Sequence, residues 1–142
     1  HERQNAYKAY LANTAWINNW DLVDISAPHV IGAYLAGQVR TPLYQLIRSP
    51  DLWERRIAMV ATLHFIRHGE FDDTLRLAGH LLNDREDLIH KACGWMLREV
   101  GKRDQVRLQD FLDCHIQAMP RTMLRYAIER FPEALRQIYL RK

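Results

Sequence analysis

Apolar residues recur with helical spacing along almost the whole chain, whereas the usual signals of a β-sheet are missing. We find no sustained alternation of apolar and polar residues, and neither Asn-Gly nor Asp-Gly, the common dipeptides of tight hairpin turns. Proline and glycine instead stand where one helix would give way to the next, as at Pro28, Gly69, Gly101 and Pro132. These features predict an all-α fold.

The helix boundaries follow from residues that favour helix starts and stops. Asn19 is a good N-cap, Pro28 suits the first turn of a new helix, and Gly101 is a natural stop. The predicted helices cover a turn from residue 20 and residues 2–11, 30–36, 41–48, 51–68, 72–82, 86–100 and 104–118, followed by two shorter helices on either side of Pro132.

A weak internal repeat runs through these helices. Ala58, Ala92 and Ala127 lie 34 and 35 residues apart, each in the middle of a predicted helix. A period in the thirties with two helices per unit is typical of α-solenoids. We therefore predict one domain, residues 1–142, built as an α-α superhelix of HEAT/armadillo type. A generic helix bundle is the alternative, because similar helices also mimic a repeat.

Composition excludes several classes of protein. Of the 142 residues 48% are hydrophobic and 26% are charged, which is a globular and not a disordered composition. No run approaches the ~18 apolar residues of a membrane span, and no secretory signal is visible.

The two cysteines, Cys93 and Cys114, are both expected to be buried thiols. They are too few for a disulfide scaffold, so we expect a cytoplasmic, intracellular protein. Since the chain begins with His1, we expect it to be a piece of a longer protein.

The stretch 18–24, Asn-Asn-Trp-Asp-Leu-Val-Asp, concentrates functional groups within seven residues. On a helical turn that begins at Trp20, Trp20 and Asp24 are four residues apart and share a face, while Leu22 and Val23 are expected to anchor the turn to the core. A carboxylate beside an aromatic ring suits a ligand that carries positive charge, or a reaction that develops it. The alternative is that Trp20 belongs to the core and Asp24 is solvated or caps a helix.

A pair of arginines follows in the predicted helix 51–68. Arg56 lies at the edge of an otherwise apolar face of this helix. A guanidinium held there needs an acceptor, and a carboxylate of the protein and a phosphate oxygen suit it equally well. Arg55 adds a second contact of the same kind or is plain surface.

Basic and aromatic residues share one face of the predicted helix 86–100. Lys91, Trp95, Arg98 and Lys102 are spaced to form this stripe. Cations around an indole suit a phosphate backbone, with the ring free for a sugar or base; the alternative is a core tryptophan among solvated charges. The net charge of +3, with a pI near 9.0, allows a polyanionic partner but does not require one. A second basic run, which is either a solvated face or a phosphate-steering surface, comprises Arg121, Arg125, Arg130, Arg136, Arg141 and Lys142.

Motifs of several other chemistries are absent from the sequence. There is no Gly-rich phosphate loop, no Gly-x-Ser-x-Gly elbow and no Cys-x-x-Cys pair, so nucleotide-dependent, serine-hydrolase and thioredoxin-like activities have no support. His64 and His68 have a spacing that zinc can use, but no further ligands lie near them in sequence. We predict no metal site.

Four motifs, taken in order, carry a resemblance to a known family. They are the stretch 18–24, Trp-Glu-Arg-Arg-Ile-Ala at 53–58, Lys-Ala-Cys-Gly-Trp-Met-Leu-Arg-Glu-Val-Gly at 91–101, and Met-Pro-Arg-Thr-Met-Leu-Arg-Tyr-Ala-Ile-Glu-Arg-Phe at 119–131. Together they resemble the HEAT-like-repeat DNA glycosylases of the DNA alkylation repair family. The resemblance implies a curved solenoid whose basic, concave face holds duplex DNA, and excision of purines alkylated at N3 or N7, without metal or cofactor. We expect a monomer.

The resemblance also implies which residues form the site. Asp24 would stabilise positive charge on the sugar and orient water, Trp20 and Trp95 would flank the lesion, and a phosphate would be held by Arg56. The expected residues are, for catalysis, Asp24, Trp20 and Trp95, and for DNA binding, Arg56, Arg55 and Lys91. Family members begin with further helices that we expect this chain to lack. The alternative function is a non-catalytic HEAT-repeat module that binds DNA or protein.

Overall fold

The computed structural model describes residues 1–14 and 19–142, apart from the side chain of Trp20. All regular secondary structure in those residues is helical, which confirms the all-α class. A π-helical turn, Pro28–Gly32, joins α2 to α3. The helices are α1 (Glu2–Ala12), α2 (Trp20–Ala27), α3 (Ala33–Leu35), α4 (Thr41–Leu46), α5 (Leu52–Ala61), α6 (Leu63–Arg67), α7 (Asp72–His80), α8 (Asp87–Arg103), α9 (Gln105–His115), α10 (Arg121–Ala127) and α11 (Glu133–Arg141).

The core is one continuous cluster of buried apolar side chains, which extends from Val23 in α2 to Tyr139 in α11. The helices α5 and α8 lie at its centre. Helix α5 packs against α2 and α8, and α8 packs against α9 and most extensively against α10. Ala58, Ala92 and Ala127 are all buried in these helices, where small residues allow close packing. The superhelical arrangement that their spacing indicates remains a prediction.

Side-chain caps fix the starts of three helices, as the sequence predicts for the first of them. Asn19 caps α2, since its side-chain oxygen accepts hydrogen bonds from the backbone N–H groups of Asp21 at 2.8 Å and Leu22 at 3.3 Å. Asp51 and Asp104 cap α5 and α9 in the same way. A cap of this kind contributes about 1 kcal/mol. The helix that carries the candidate carboxylate therefore begins at a defined residue.

Two predicted helix boundaries lie inside helical segments instead. Pro28 has helical backbone angles, φ −62° and ψ −38°, and opens the π-helical turn rather than a new helix. Proline has no N–H to donate to the carbonyl four residues earlier, so a widened turn lets the helical path continue. Gly101 lies within α8, which continues to Arg103. Its missing side chain makes room for α9, because a Cβ there would lie 2.4 Å from the Cδ2 atom of the Leu108 side chain.

The predicted helix 51–68 is interrupted at Thr62. Helix α5 ends one residue before it and α6 begins one residue after it. The buried Thr62 hydroxyl donates a hydrogen bond to the Met59 carbonyl at 2.7 Å. Such side-chain bonds to the preceding turn compete with the helical ladder and bend helices. The interruption therefore has a local cause that the apolar pattern of the segment conceals.

Four side chains are predicted to be buried, and the prediction is confirmed for Val23 and Cys93 but wrong for Leu22 and Cys114. Val23 is fully buried, whereas Leu22 is 51% exposed, because the buried face of α2 is formed by Val23 and Ala27. Cys93 is buried in α8, whereas Cys114, at the end of α9, is exposed. None of the helices in the described part of the chain is long and apolar enough to cross a membrane.

The contact between α8 and α10 depends on Gly94. A Cβ at this position would lie 2.4 Å from the Tyr126 Cβ and 2.7 Å from the Met123 carbonyl oxygen. We therefore expect Gly94→Ala to push the two helices apart and to lower the free energy of unfolding by about 2 kcal/mol, measured by urea titration.

Gly79 in α7 supplies the matched control, because no described atom lies within 4 Å of the place that an alanine methyl would take. We expect Gly79→Ala to raise the free energy of unfolding by roughly 0.5–1 kcal/mol through helix propensity. A Gly94→Ala protein as stable as the parent would contradict the close approach of α8 and α10.

Candidate active site

An open cleft of about 430 Å³ lies where α2, α5, α8 and α10 meet. Among the described residues it combines one carboxylate, three cationic side chains and two aromatic side chains. Five of these residues are among those that the sequence singles out, and they come from three helices. The lining residues are Asp24, Arg56, Leu88, Lys91, Trp95, Arg98 and Tyr126.

Asp24 and Arg56, which both line the cleft, form a bidentate ion pair. The Arg56 Nε donates to Asp24 Oδ1 at 3.0 Å, and Nη2 donates to Oδ2 at 2.9 Å. The side chains of Arg56 and Asp24 are 5% and 16% exposed. Parallel bonds from a planar guanidinium fix both the position and the plane of a carboxylate. Asp24 is therefore held in one orientation.

Arg56 connects three helices through this contact. Besides binding Asp24 in α2, its Nη1 donates to the backbone carbonyl of Leu88 in the first turn of α8. Of the two acceptors that the sequence left open, the structure supplies a carboxylate of the protein. The phosphate contact that the resemblance implies for Arg56 remains a prediction.

Within residues 1–14 and 19–142, the bonds from Arg56 leave Asp24 with further hydrogen-bonding capacity. Each carboxylate oxygen accepts one bond from Arg56, and a carboxylate oxygen has two lone pairs. Because Asp24 also lines the cleft, a negatively charged acceptor of fixed orientation is available to a molecule bound there.

Aromatic side chains form the wall of the cleft on α8 and α10. Trp95 is half-buried: it packs against the core and also lines the cleft. Tyr126 lines the same cleft from α10, and the sequence patterns above do not single it out. The available signal is Gly94 next to Trp95, since a glycine in mid-helix indicates close approach of another element.

Lys91 and Arg98 supply positive charge at the cleft. The Lys91 Nζ lies 3.4 Å from Oδ2 of Asp87, one turn earlier on α8, and the Lys91 side chain is 41% exposed. Arg98 pairs with Glu129, and its guanidinium carbon lies 6.0 Å from the centre of the Tyr126 ring. The basic stripe predicted on α8 thus reaches the cleft at Lys91, Trp95 and Arg98.

Arg55 is placed differently from its neighbour in sequence. Its Nε donates to Asp84 Oδ2 at 2.8 Å, and Nη1 donates to the Ser49 carbonyl at 2.9 Å. Arg55 is not among the described residues that line the cleft. Its contacts join the segment before α5 to the segment before α8, so that it braces the two helices that carry Arg56 and Trp95.

Other predicted groups lie outside the cleft or outside the described residues. The side chain of Trp20 lies outside the described residues, as does Asn18, and only the backbone of Trp20 is placed, at the start of α2. Burial raises the pKa of the Cys93 thiol, which therefore stays protonated and unreactive. Burial is the largest cause that lowers the pKa of His64, and the neighbouring His68 ring is the next. Within residues 1–14 and 19–142 no group of three or more acidic, histidine or cysteine side chains is placed to hold a metal ion.

The arrangement favours a ligand with both anionic and cationic character. Lys91 and Arg98 attract phosphates, the rings of Trp95 and Tyr126 offer flat apolar contact, and Asp24 presents a fixed negative charge in the same cleft. A ligand that carries phosphates, an apolar ring and a positive charge suits all three features.

Comparison with known proteins identifies the family. The family model described as DNA alkylation repair enzyme matches residues 1–131 of the 142. No curated protein and no solved structure matches the chain. The family match assigns the protein to DNA repair as an enzyme that acts on DNA. Because this match covers nearly the whole chain, the chain belongs to the DNA alkylation repair enzyme family.

Proposed function

We propose that the protein is a DNA glycosylase that excises cationic N3- and N7-alkylated purines from duplex DNA. The family supports a repair enzyme that acts on DNA. The observation that carries the finer proposal is the fixed Asp24 carboxylate in a cleft with cationic and aromatic walls. The proposal assigns no metal or cofactor to the reaction.

The chemistry of the lesion explains why a carboxylate is the central group. Alkylation at N3 or N7 gives the purine a positive charge. When the bond between C1′ and the base nitrogen breaks, its electron pair neutralises the base, and the sugar takes on positive charge as an oxocarbenium-like centre. The lesion itself thereby activates its own leaving group, and no proton donor to the base is required.

Asp24 acts on the charge that develops in this step. A negative group held in place before the reaction stabilises that charge without reorganisation, which is the main source of electrostatic catalysis. Its remaining lone pairs accept a hydrogen bond from the attacking water. As the water oxygen bonds to C1′, the surplus proton passes by way of Asp24 to solvent.

Arg56 is proposed as the positioning residue of this site rather than as a phosphate contact. Its guanidinium is bound by both Asp24 oxygens and by the Leu88 carbonyl. Because the pairing fixes the orientation of the Asp24 carboxylate, its oxygens and the bound sugar meet in a reproducible geometry.

The walls of the cleft are proposed to hold the strand. Lys91 contacts the backbone phosphates, and Trp95 lies against the deoxyribose of the lesion, with Tyr126 beside it. An indole face also attracts positive charge, by roughly 0.5–2 kcal/mol depending on solvation. Trp20 is proposed to flank the lesion as the resemblance implies.

Chromatography of free bases tests the proposal directly. The full chain is incubated with duplex DNA that contains N7-methylguanine, and released 7-methylguanine is counted above the spontaneous rate in buffer. We expect release from methylated duplex and none from unmethylated duplex. The non-catalytic alternative instead predicts salt-sensitive binding of duplex with no base released above background.

A further inference from the structure

A second depression adjoins the candidate active site on its α10 side. It has a volume of about 500 Å³ and is lined by Arg98, Arg125, Tyr126 and Glu129. Arg98 and Tyr126 line both this depression and the cleft. A strand that leaves the cleft in this direction therefore passes directly over Arg98.

The Glu129 carboxylate forms an ion pair with the Arg98 guanidinium. The Arg98 Nη1 is bonded to Glu129 Oε2, and the two side chains are 19% and 57% exposed. A carboxylate is a planar anion that presents oxygens to an arginine much as a phosphate does. The pair is partly solvated, and ion pairs of this kind contribute little to stability, so that exchanging the partner costs little.

The surroundings of Arg98 favour a phosphate over the carboxylate. Arg125 lines the same depression, so a phosphate bound at Arg98 also interacts with a second cation. The centre of the Tyr126 ring lies 6.0 Å from the Arg98 guanidinium carbon, at the limit of a cation–π contact. Glu129 is more exposed than Arg98 and can turn away into solvent.

We infer that Arg98 and Glu129 form a phosphate-exchange site, in which the Glu129 carboxylate holds the place of a DNA backbone phosphate next to the cleft. The phosphate displaces Glu129 from Arg98 when duplex binds. Glu129 therefore weakens the binding of undamaged DNA while keeping Arg98 in a binding conformation. The inference rests on the proposed function for its choice of DNA as the ligand.

The test compares duplex affinities of four variants with that of the parent chain. Fluorescence anisotropy of a labelled, undamaged duplex gives each Kd at an ionic strength of about 0.05 M, where phosphate contacts are strong. We expect Glu129→Gln to tighten binding about fivefold and Arg98→Gln to weaken it about tenfold. In the double variant the effect of Glu129→Gln should shrink to less than about twofold, because the two residues act on the same phosphate.

Glu70→Gln is the matched control. Glu70 is 56% exposed and pairs with Arg40, which does not line the cleft. The substitution therefore removes the same charge from an ion pair that is as exposed as that of Arg98 and Glu129. We expect its Kd to stay within about twofold of the parent value. A Glu129→Gln affinity equal to that of Glu70→Gln would overturn the inference, as would an undiminished gain in the Arg98→Gln background or a parent chain that binds no duplex.

Base release measured on the same samples separates the two proposals. Tighter binding by Glu129→Gln without any release of 7-methylguanine by the parent leaves the exchange site standing and refutes the glycosylase. Release by the parent with no effect of Glu129→Gln on affinity refutes the exchange site alone.

Discussion

Asp24→Asn is expected to lower the single-turnover rate of 7-methylguanine release by about a hundredfold to a thousandfold. Loss of one preorganised charge-stabilising group commonly costs roughly 10² to 10³ in rate, and among the described residues Asp24 is the only carboxylate that lines the cleft. The duplex Kd should change by less than about threefold, since Asp24 makes no attractive contact with phosphates. Chromatography and anisotropy on the same sample measure both quantities.

Stability must be measured alongside, because Asp24 is also a partner of Arg56. Asparagine keeps one oxygen for the guanidinium but removes the negative charge that lies beside it in a largely buried place, at a cost of about 3 kcal/mol. Rates are therefore expressed per folded molecule. Asp21→Asn, an equal change at an exposed position on the same helix, should release base at the parent rate. Equal rates for both variants would remove Asp24 from the reaction.

The sequence predicts those parts of the fold that depend on local chemistry. The Asn19 cap and the burial of Val23 and Cys93 follow from residue type and period, and the structure bears them out. Pro28 and Gly101 mislead for a common reason. Each is a helix breaker by local rules, but tertiary packing overrides helix propensity. A widened π-helical turn accommodates Pro28, and Gly101 allows the close approach of Leu108.

The candidate site divides in the same way between local and distant information. The stripe on α8 is visible because helical spacing alone places Lys91, Trp95 and Arg98 on one face. The pairing of Arg56 with Asp24 joins residues 32 apart, and no local pattern distinguishes it from a pairing with phosphate. Tyr126 reaches the cleft only because α10 packs against Gly94, which is a property of the fold and not of its own segment.

Arg56→Lys distinguishes a positioning residue from a phosphate contact. Lysine keeps the charge and remains a good phosphate ligand, but it cannot make the paired bonds to Asp24 together with the bond to the Leu88 carbonyl. We expect the single-turnover rate to fall about a hundredfold, as misplacement of a reacting group by about 1 Å does, while the duplex Kd and its salt dependence stay at the parent values. Urea titration should show a loss of about 2 kcal/mol, because hydrogen bonds of a charged group are lost while the charge is kept.

Arg40→Lys controls for the loss of stability in this experiment. Arg40 also makes a network of contacts, to Asp73 at 2.7 Å and Glu70 at 3.2 Å, with the Phe65 ring 3.7 Å from its guanidinium carbon. Its replacement should lower the free energy of unfolding, yet leave base release per folded molecule unchanged, because these three partners do not line the cleft. If Arg56→Lys instead kept the parent rate and lost duplex affinity, the guanidinium would exchange Asp24 for a phosphate during binding. The carboxylate would then act without a fixed orientation, and the geometry of the ion pair would have no part in catalysis.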